Sequence, residues 1–287
     1  MKLPLLAIAF LTAGYAHAQP QAKLISMVAD EWCPYNCEAG GPNQGYFVEL
    51  AKLVFEPAGY TVVYETMPWN RALEEVGKGK HTIAIAADEV EAPTFLFPAN
   101  ESSIDCNDQF YVRSDMLKHN YRDLTVLSNY VIGAIADYSY GDEIDAYIAK
   151  HRRNTDKVQM MTGEEALRQN IKKLLASRID VLIEDPAVMN YRLKLMSTGH
   201  QHVRMRPAGT VDDTPDYCHL AFSPADPRSP QLVNLLNTTY PTLVRHGDIA
   251  KLKAKYGMNN RALRSYEEAQ LDSIQPAAGA LLPPPTP

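Results

Sequence analysis

Four carboxylates, four aromatic rings and four cysteines carry most of the chemistry open to this sequence. Asp185 stands in "RIDVLIEDPAVMNY" (178–191), where a short apolar run meets an acid and then a proline. An aspartate in that place is a helix N-cap, with proline suited to the first helical position. Asp88, Glu89 and Glu91 form a second acidic group in "DEVEAPTFLF" (88–97). Together with Asp185 they are the residues from which a general acid and base would be drawn. No nucleophile elbow, H-E-x-x-H motif or phosphate loop accompanies them, so they read as binding groups and the chain as a non-enzyme.

Trp32 and Tyr35 follow the segment 23–29, and Trp69 follows 60–65. A flat ring at such an exit walls a pocket while its polar edge reaches water, and a cationic ligand stacked on it gains a cation–π term. The cysteines are Cys33, Cys37, Cys106 and Cys218. "WCPYNC" lacks C-x-x-C spacing, and no nearby histidine completes a zinc set, so neither a metal nor a redox motif is expected. In an oxidising compartment an even count favours two bridges, and three pairings are open.

The elements that must position these groups alternate between strand and helix. "KLISMVA" (23–29) reads as a buried strand, "YFVELAKLVFEPA" (46–58) as a helix and "YTVVYE" (60–65) as a β-branched strand. "NRALEEV" (70–76) is a short helix and "HTIAIA" (81–86) the next strand. A second block repeats the order: strand 130–136, helix 142–151, strand 157–161, helix 163–177 and strand 179–184. "DYCHLAFSP" (216–224) is a late strand, and 229–257 is an amphipathic stretch. Strands alternating with helices imply parallel sheets covered on both faces.

Composition bounds the rest. At 287 residues, 46% hydrophobic and 22% charged, the chain fills one large or two medium cores. Residues 1–18, "MKLPLLAIAFLTAGYAHA", have the pattern of a cleaved secretory signal: one lysine, an apolar run too short for a membrane span, and the ending Ala16-His17-Ala18. The mature chain is expected to start at Gln19, exported to the periplasm, and losing Lys2 takes the formal charge from −6 to −7. That balance argues against nucleic-acid or anionic-membrane partners. Residues 261–287, rich in proline and alanine, are expected to form a flexible tail. No cofactor is implied.

The order and spacing of "GYFVELAKLVFEPAGYTVVYETMPWNRALEEVGKGKHTIAIA", "VIGAIADYSYGDEI", "LLASRIDVLIEDPAVMNY" and "LVRHGDIAKLKAKYG" resemble the type II periplasmic solute-binding proteins, family 3, the group of polar amino-acid receptors of ABC transporters. The resemblance spans about residues 22–257. It implies an α/β fold of two lobes, each built on a mostly parallel sheet, joined by a hinge of two crossing strands. Lobe 1 would comprise 22–108 plus 217–260 and lobe 2 would comprise 109–216, with a ligand beyond the carboxyl ends of the strands. The implied partners are a small polar, amine-bearing ligand and the membrane permease of an ABC transporter. A sensor receptor, or a dehydratase-like enzyme of the same fold, are the alternatives. A monomer is expected.

Residue by residue, Asp185 matches the family's aspartate that takes the ligand's α-ammonium, a charge-assisted bond. "DYSYGDE" (137–143) matches the loop that holds the ligand carboxylate; Ser139 keeps a hydroxyl there and Tyr138 reshapes the pocket. The family's carboxylate-clamping arginine falls on Glu91, which cannot do that work, and Arg71 in "PWNRA" is the candidate replacement. Asp88 lies in the same acidic run. Because "CNDQFYV" and "YCHLAF" match the two crossing segments, the resemblance implies pairing of Cys106 with Cys218, and of Cys33 with Cys37.

Overall fold

The structure, a computed structural model, describes residues 23–163, 165–196, 204–211 and 216–258. The expected signal (1–18) and tail (261–287) lie outside the described residues. Strands and helices alternate as β1 (Leu24–Ala29), α1 (Tyr46–Phe55), β2 (Thr61–Thr66), α2 (Trp69–Gly77), β3 (Ile83–Ala87), β4 (Ile104–Asp105), β5 (Gln109–Arg113) and α3 (Leu124–Leu127). They continue as β6 (Ile132–Ile135), α4 (Asp142–His151), β7 (Val158–Met161), α5 (Ala166–Leu175), β8 (Val181–Glu184), α6 (Pro186–Met196), β9 (Met205–Thr210), β10 (Tyr217–Phe222), α7 (Ser229–Arg245) and α8 (Asp248–Lys255). Among these no helix is long and apolar enough to cross a membrane.

Two five-stranded sheets result, ordered β2-β1-β3-β10-β4 and β7-β6-β8-β5-β9. In each, three parallel strands are followed by antiparallel ones: β10 pairs antiparallel with β3 and β4, and β5 with β8 and β9. The sheets are thus mixed rather than mostly parallel, because each receives a strand that crosses from the other. The crossing segments run side by side, with Cys106 N–H donating to Asp216 O at 3.0 Å and Val211 N–H to Asp108 O at 2.9 Å. The Cys106 and Cys218 sulfurs are bonded across this crossover, and Cys33 is bonded to Cys37.

Burial explains why these segments form these elements. The central strands carry unbroken apolar runs, such as Ile83–Ile85 and Val181–Ile183, that are buried on both faces by helices. Helix α1 sets Phe47, Leu50, Val54 and Phe55 into the core, at helical spacing. The amphipathic stretch 229–257 divides into α7 and α8 at Gly247, whose φ of 78° a side-chain-bearing residue rarely adopts.

Candidate functional site

The carboxyl ends of β1, β3, β6 and β8 converge, so the residues that follow each strand face one another across the gap between the sheets. Three hydrogen-bonded residue pairs join the chain after β1 to the second sheet. Trp32 Nε1 donates to Glu184 Oε1 at 2.9 Å, Tyr35 OH to both oxygens of Asp185 at 3.2 and 3.1 Å, and Tyr138 OH to Asp30 Oδ2 at 2.7 Å. The two halves are therefore closed on each other.

The loop that supplies Trp32, Tyr35 and Asn36 is held from several sides. Trp32 N–H donates to Asn36 O at 2.9 Å, the Cys33–Cys37 bridge closes the turn, and the Trp32 and Tyr35 rings stand 4.7 Å apart. Gly45, at φ 106°, lets the start of α1 press against this loop; a Cβ there would sit 2.5 Å from both Asn36 Cα and Tyr35 O. Asn36 is fully buried, and its amide nitrogen donates to Asp30 O and Tyr64 OH. Its Oδ1 has no hydrogen-bond partner, an exposed need in a buried acceptor.

Two adjoining pockets open in this gap. The first holds about 590 Å³ of empty space, part of it open to solvent, and six acidic residues line it: Asp30, Asp88, Glu91, Asp108, Glu184 and Asp216. Trp32, Trp69, Tyr138, Ser139 and Asn36 complete its character, and none of the described residues lining it is lysine, arginine or histidine. The second shares Asp30, Trp32, Trp69, Tyr138 and Glu184 and adds Glu31, Asp137 and Arg192. Arg192 faces Glu31 at 3.6 Å. Among the described residues no group of three or more His, Cys, Asp or Glu is placed to hold a metal ion.

Burial beside other acids makes four of them, Asp30, Glu91, Asp108 and Glu184, hold their protons more tightly. Burial pushes Glu184 up to about 8, against the pull of the Trp32 N–H and with the push of Asp185. Burial and then Asp88 raise Glu91 to about 7, opposed by the Trp69 N–H, which donates to Glu91 Oε1 at 3.2 Å. Burial raises Asp30 to about 6, with the Tyr138 hydroxyl opposing. Asp108 is raised by burial and by Glu184, Asp185 and Asp216. A positive charge brought among them would oppose these shifts by favouring the ionised carboxylates.

The residues singled out from sequence separate into three groups. Trp32, Trp69 and Tyr138 line both pockets, and Asp88 and Ser139 line the first. Asp185 and Tyr35 line neither: Asp185 is 1% exposed and caps α6, accepting from Ala187 N–H at 2.7 Å and Val188 N–H at 2.9 Å, while its carboxylate also receives the Tyr35 hydroxyl. Arg71 also lines neither pocket: its side chain is exposed and pairs with Glu75 one turn along α2 at 2.9 Å. Sequence reasoning missed Glu184, Asp30, Asp108, Asp216 and Asn36. A signal existed for two of them, since "VLIED" and "SMVAD" each end a buried strand on an acid.

Comparison with known proteins bears on the fold. No protein-family model matches the chain, and no curated protein matches it. Solved structures do. One, described for glutathione import in Gram-positive bacteria via GshT and the cystine ABC importer TcyBC of Streptococcus mutans, superposes with a TM-score of 0.65 at 18% identity, covering 82% of this chain and 95% of that one. An ancestral arginine-binding protein bound to glutamine gives 0.62 at 15%, covering 83% and 99%. An amino-acid ABC transporter substrate-binding protein from Streptococcus pneumoniae, bound to L-arginine, gives 0.60 at 16%, covering 85% and 95%. At these identities the likeness establishes the architecture: the chain has the two-lobed periplasmic-binding-protein fold.

Proposed function

We propose that this protein is a periplasmic solute-binding protein that captures a small polar, amine-bearing ligand between its lobes for uptake by an ABC transporter. In this reading the lobes take the bounds drawn from the sequence, 22–108 with 217–260 and 109–216. The observation that carries the reading is the first pocket, whose described lining holds six acidic residues and no cationic side chain, between two tryptophans and a tyrosine. Such a wall attracts a cation by charge, by charge-assisted hydrogen bonds and by the faces of its rings.

Within the cleft, Glu184 takes the ligand's cationic nitrogen in place of its neighbour Asp185. Asp185 is engaged with the start of α6 and with Tyr35, whereas Glu184 lines both pockets. Asp185 and Tyr35 then act as a latch between the closed lobes. Trp32, Trp69 and Tyr138 form the walls. Uptake is supported by similar structures described as transporter binding proteins; sensing is the second reading, because a histidine kinase sensor domain similar to periplasmic binding proteins superposes equally well. A thermal-shift screen of cationic, zwitterionic and anionic metabolites at pH 8 tests the reading, because a ligand bound only by the folded state raises Tm by mass action. Hits bearing an ammonium or guanidinium group are expected; hits confined to anions would overturn it.

A further inference from the structure

The hydrogen-bond directions in the cleft constrain the ligand beyond one cationic nitrogen, provided the cleft captures a cation as proposed above. Consider first what could receive a ligand carboxylate. Of the donors on the loop after β6, two side-chain hydroxyls and one backbone N–H are turned onto the protein's own acids. Tyr138 OH donates to Asp30 Oδ2 at 2.7 Å, Ser139 Oγ to Asp145 Oδ2 at 2.7 Å and Tyr140 N–H to Asp145 Oδ1 at 2.9 Å. Both indole N–H groups are engaged likewise, Trp32 by Glu184 and Trp69 by Glu91. Arg192, on the neighbouring pocket, faces Glu31. A carboxylate entering here would meet like charge, with these side-chain donors of the described lining already engaged.

The acceptors are in the opposite condition. Glu184 and Glu91 each turn Oε1 toward an indole N–H, which fixes the carboxylate and leaves Oε2 for a ligand. Asn36 Oδ1, fully buried and on the wall of the same pocket, lacks a donor altogether. Two tryptophan–glutamate pairs therefore lie in one pocket, Trp32–Glu184 at the exit of β1 and β8, and Trp69–Glu91 on the side of α2 and the chain after β3. Each is a carboxylate beside an aromatic ring, the arrangement that suits an organic ammonium or guanidinium.

We propose that the cleft takes a carboxylate-free dication, a diamine or an amino-guanidine, with one cationic nitrogen at Trp32–Glu184, the other at Trp69–Glu91, and Asn36 Oδ1 accepting from one of its N–H groups. A zwitterionic amino acid brings the same side-chain cation but sets its carboxylate among the six acidic residues.

Calorimetry at pH 8 with matched pairs tests this: 1,4-diaminobutane against ornithine, and agmatine against arginine, with butylamine as the single-cation control. Each pair differs by the carboxylate. The amine of each pair should bind at least about 100-fold more tightly than its amino acid, since like charges brought together in an interface cost several kcal/mol. Glu91→Gln should weaken 1,4-diaminobutane at least about tenfold and leave butylamine within about threefold, because one unpaired end loses one charge-assisted bond. Amino acids binding as tightly as their amines, or 1,4-diaminobutane binding no better than butylamine, would overturn the dication and leave the cation receptor standing. No binding of any of the five compounds would overturn both.

Discussion

Raising the pH from 6 to 8 should strengthen capture of a cation by roughly 100-fold or more. In the empty cleft Glu184 is pushed up to about 8 and Glu91 to about 7, so both are largely protonated at pH 6. A bound cation requires them ionised, and each proton must leave on binding. Glu184 alone makes affinity climb about tenfold per pH unit below 8, and Glu91 adds up to about another factor of ten. Isothermal titration at pH 7 in two buffers of different ionisation enthalpy counts the protons directly; between about one and two released per ligand is expected from these values. The same values fix the stability of the empty protein. Both folded-state values lie above the ordinary carboxylate range, so between about pH 4.5 and 8 the folded protein holds protons that the unfolded chain has lost, and stability falls as pH rises through that window. Affinity that is flat from pH 6 to 8, with a buffer-independent enthalpy, would refute the assignment of the ligand to these acids.

Other consequences follow from particular contacts. The Cys106–Cys218 bridge closes a separation of 112 residues, so replacing both cysteines by serine should cost about 4–5 kcal/mol in the chain-entropy model; urea unfolding that shows a loss below about 1 kcal/mol would contradict a bonded crossover. Asp185→Ala removes the cap of α6 and the acceptor of Tyr35 and should lower stability by about 1–3 kcal/mol, read by the same unfolding. Asp185→Asn keeps a capping oxygen and should change ligand affinity less than about threefold, since Asp185 does not line either pocket; a loss of tenfold or more in calorimetry would return the ligand's nitrogen to Asp185.

How much of this was legible in the sequence depended on how strongly a local signal competed with its surroundings. The long apolar strands, bounded by glycine and proline, announced themselves: 23–29 became Leu24–Ala29 and 60–65 became Thr61–Thr66. Two strands escaped. Ile104–Asp105 is only two residues long, and "MRPAGT" (205–210) carries a proline and a glycine that argue against a strand when read locally. Both lie at sheet edges, where pairing is set by the crossover rather than by propensity. At the site, the aromatic residues were legible because they follow strands, and Trp32, Trp69 and Tyr138 do face the cleft. Asp185 draws the ligand role in the sequence through its match to the family's aspartate, whereas Glu184, the strand residue beside it, is the one that lines both pockets. Arg71 was assigned by proximity in the pattern, and the turn of α2 carries it outward to Glu75. Nothing local marks Asn36, whose buried, unpaired oxygen exists only once the loop has closed on β1.

The proposed receptor depends on a cation held in the interlobe cleft by Glu184. The most direct measurement titrates the strongest cation from the thermal-shift screen into the parent protein and into Glu184→Gln, which keeps an oxygen for the Trp32 N–H and removes the charge. Loss of at least about tenfold in affinity is expected, from one partner of a desolvated charge pair, together with a Tm for the empty protein that is equal or higher at pH 8 because a buried acid has gone. Unchanged affinity in Glu184→Gln, with the protein folded, would contradict the account.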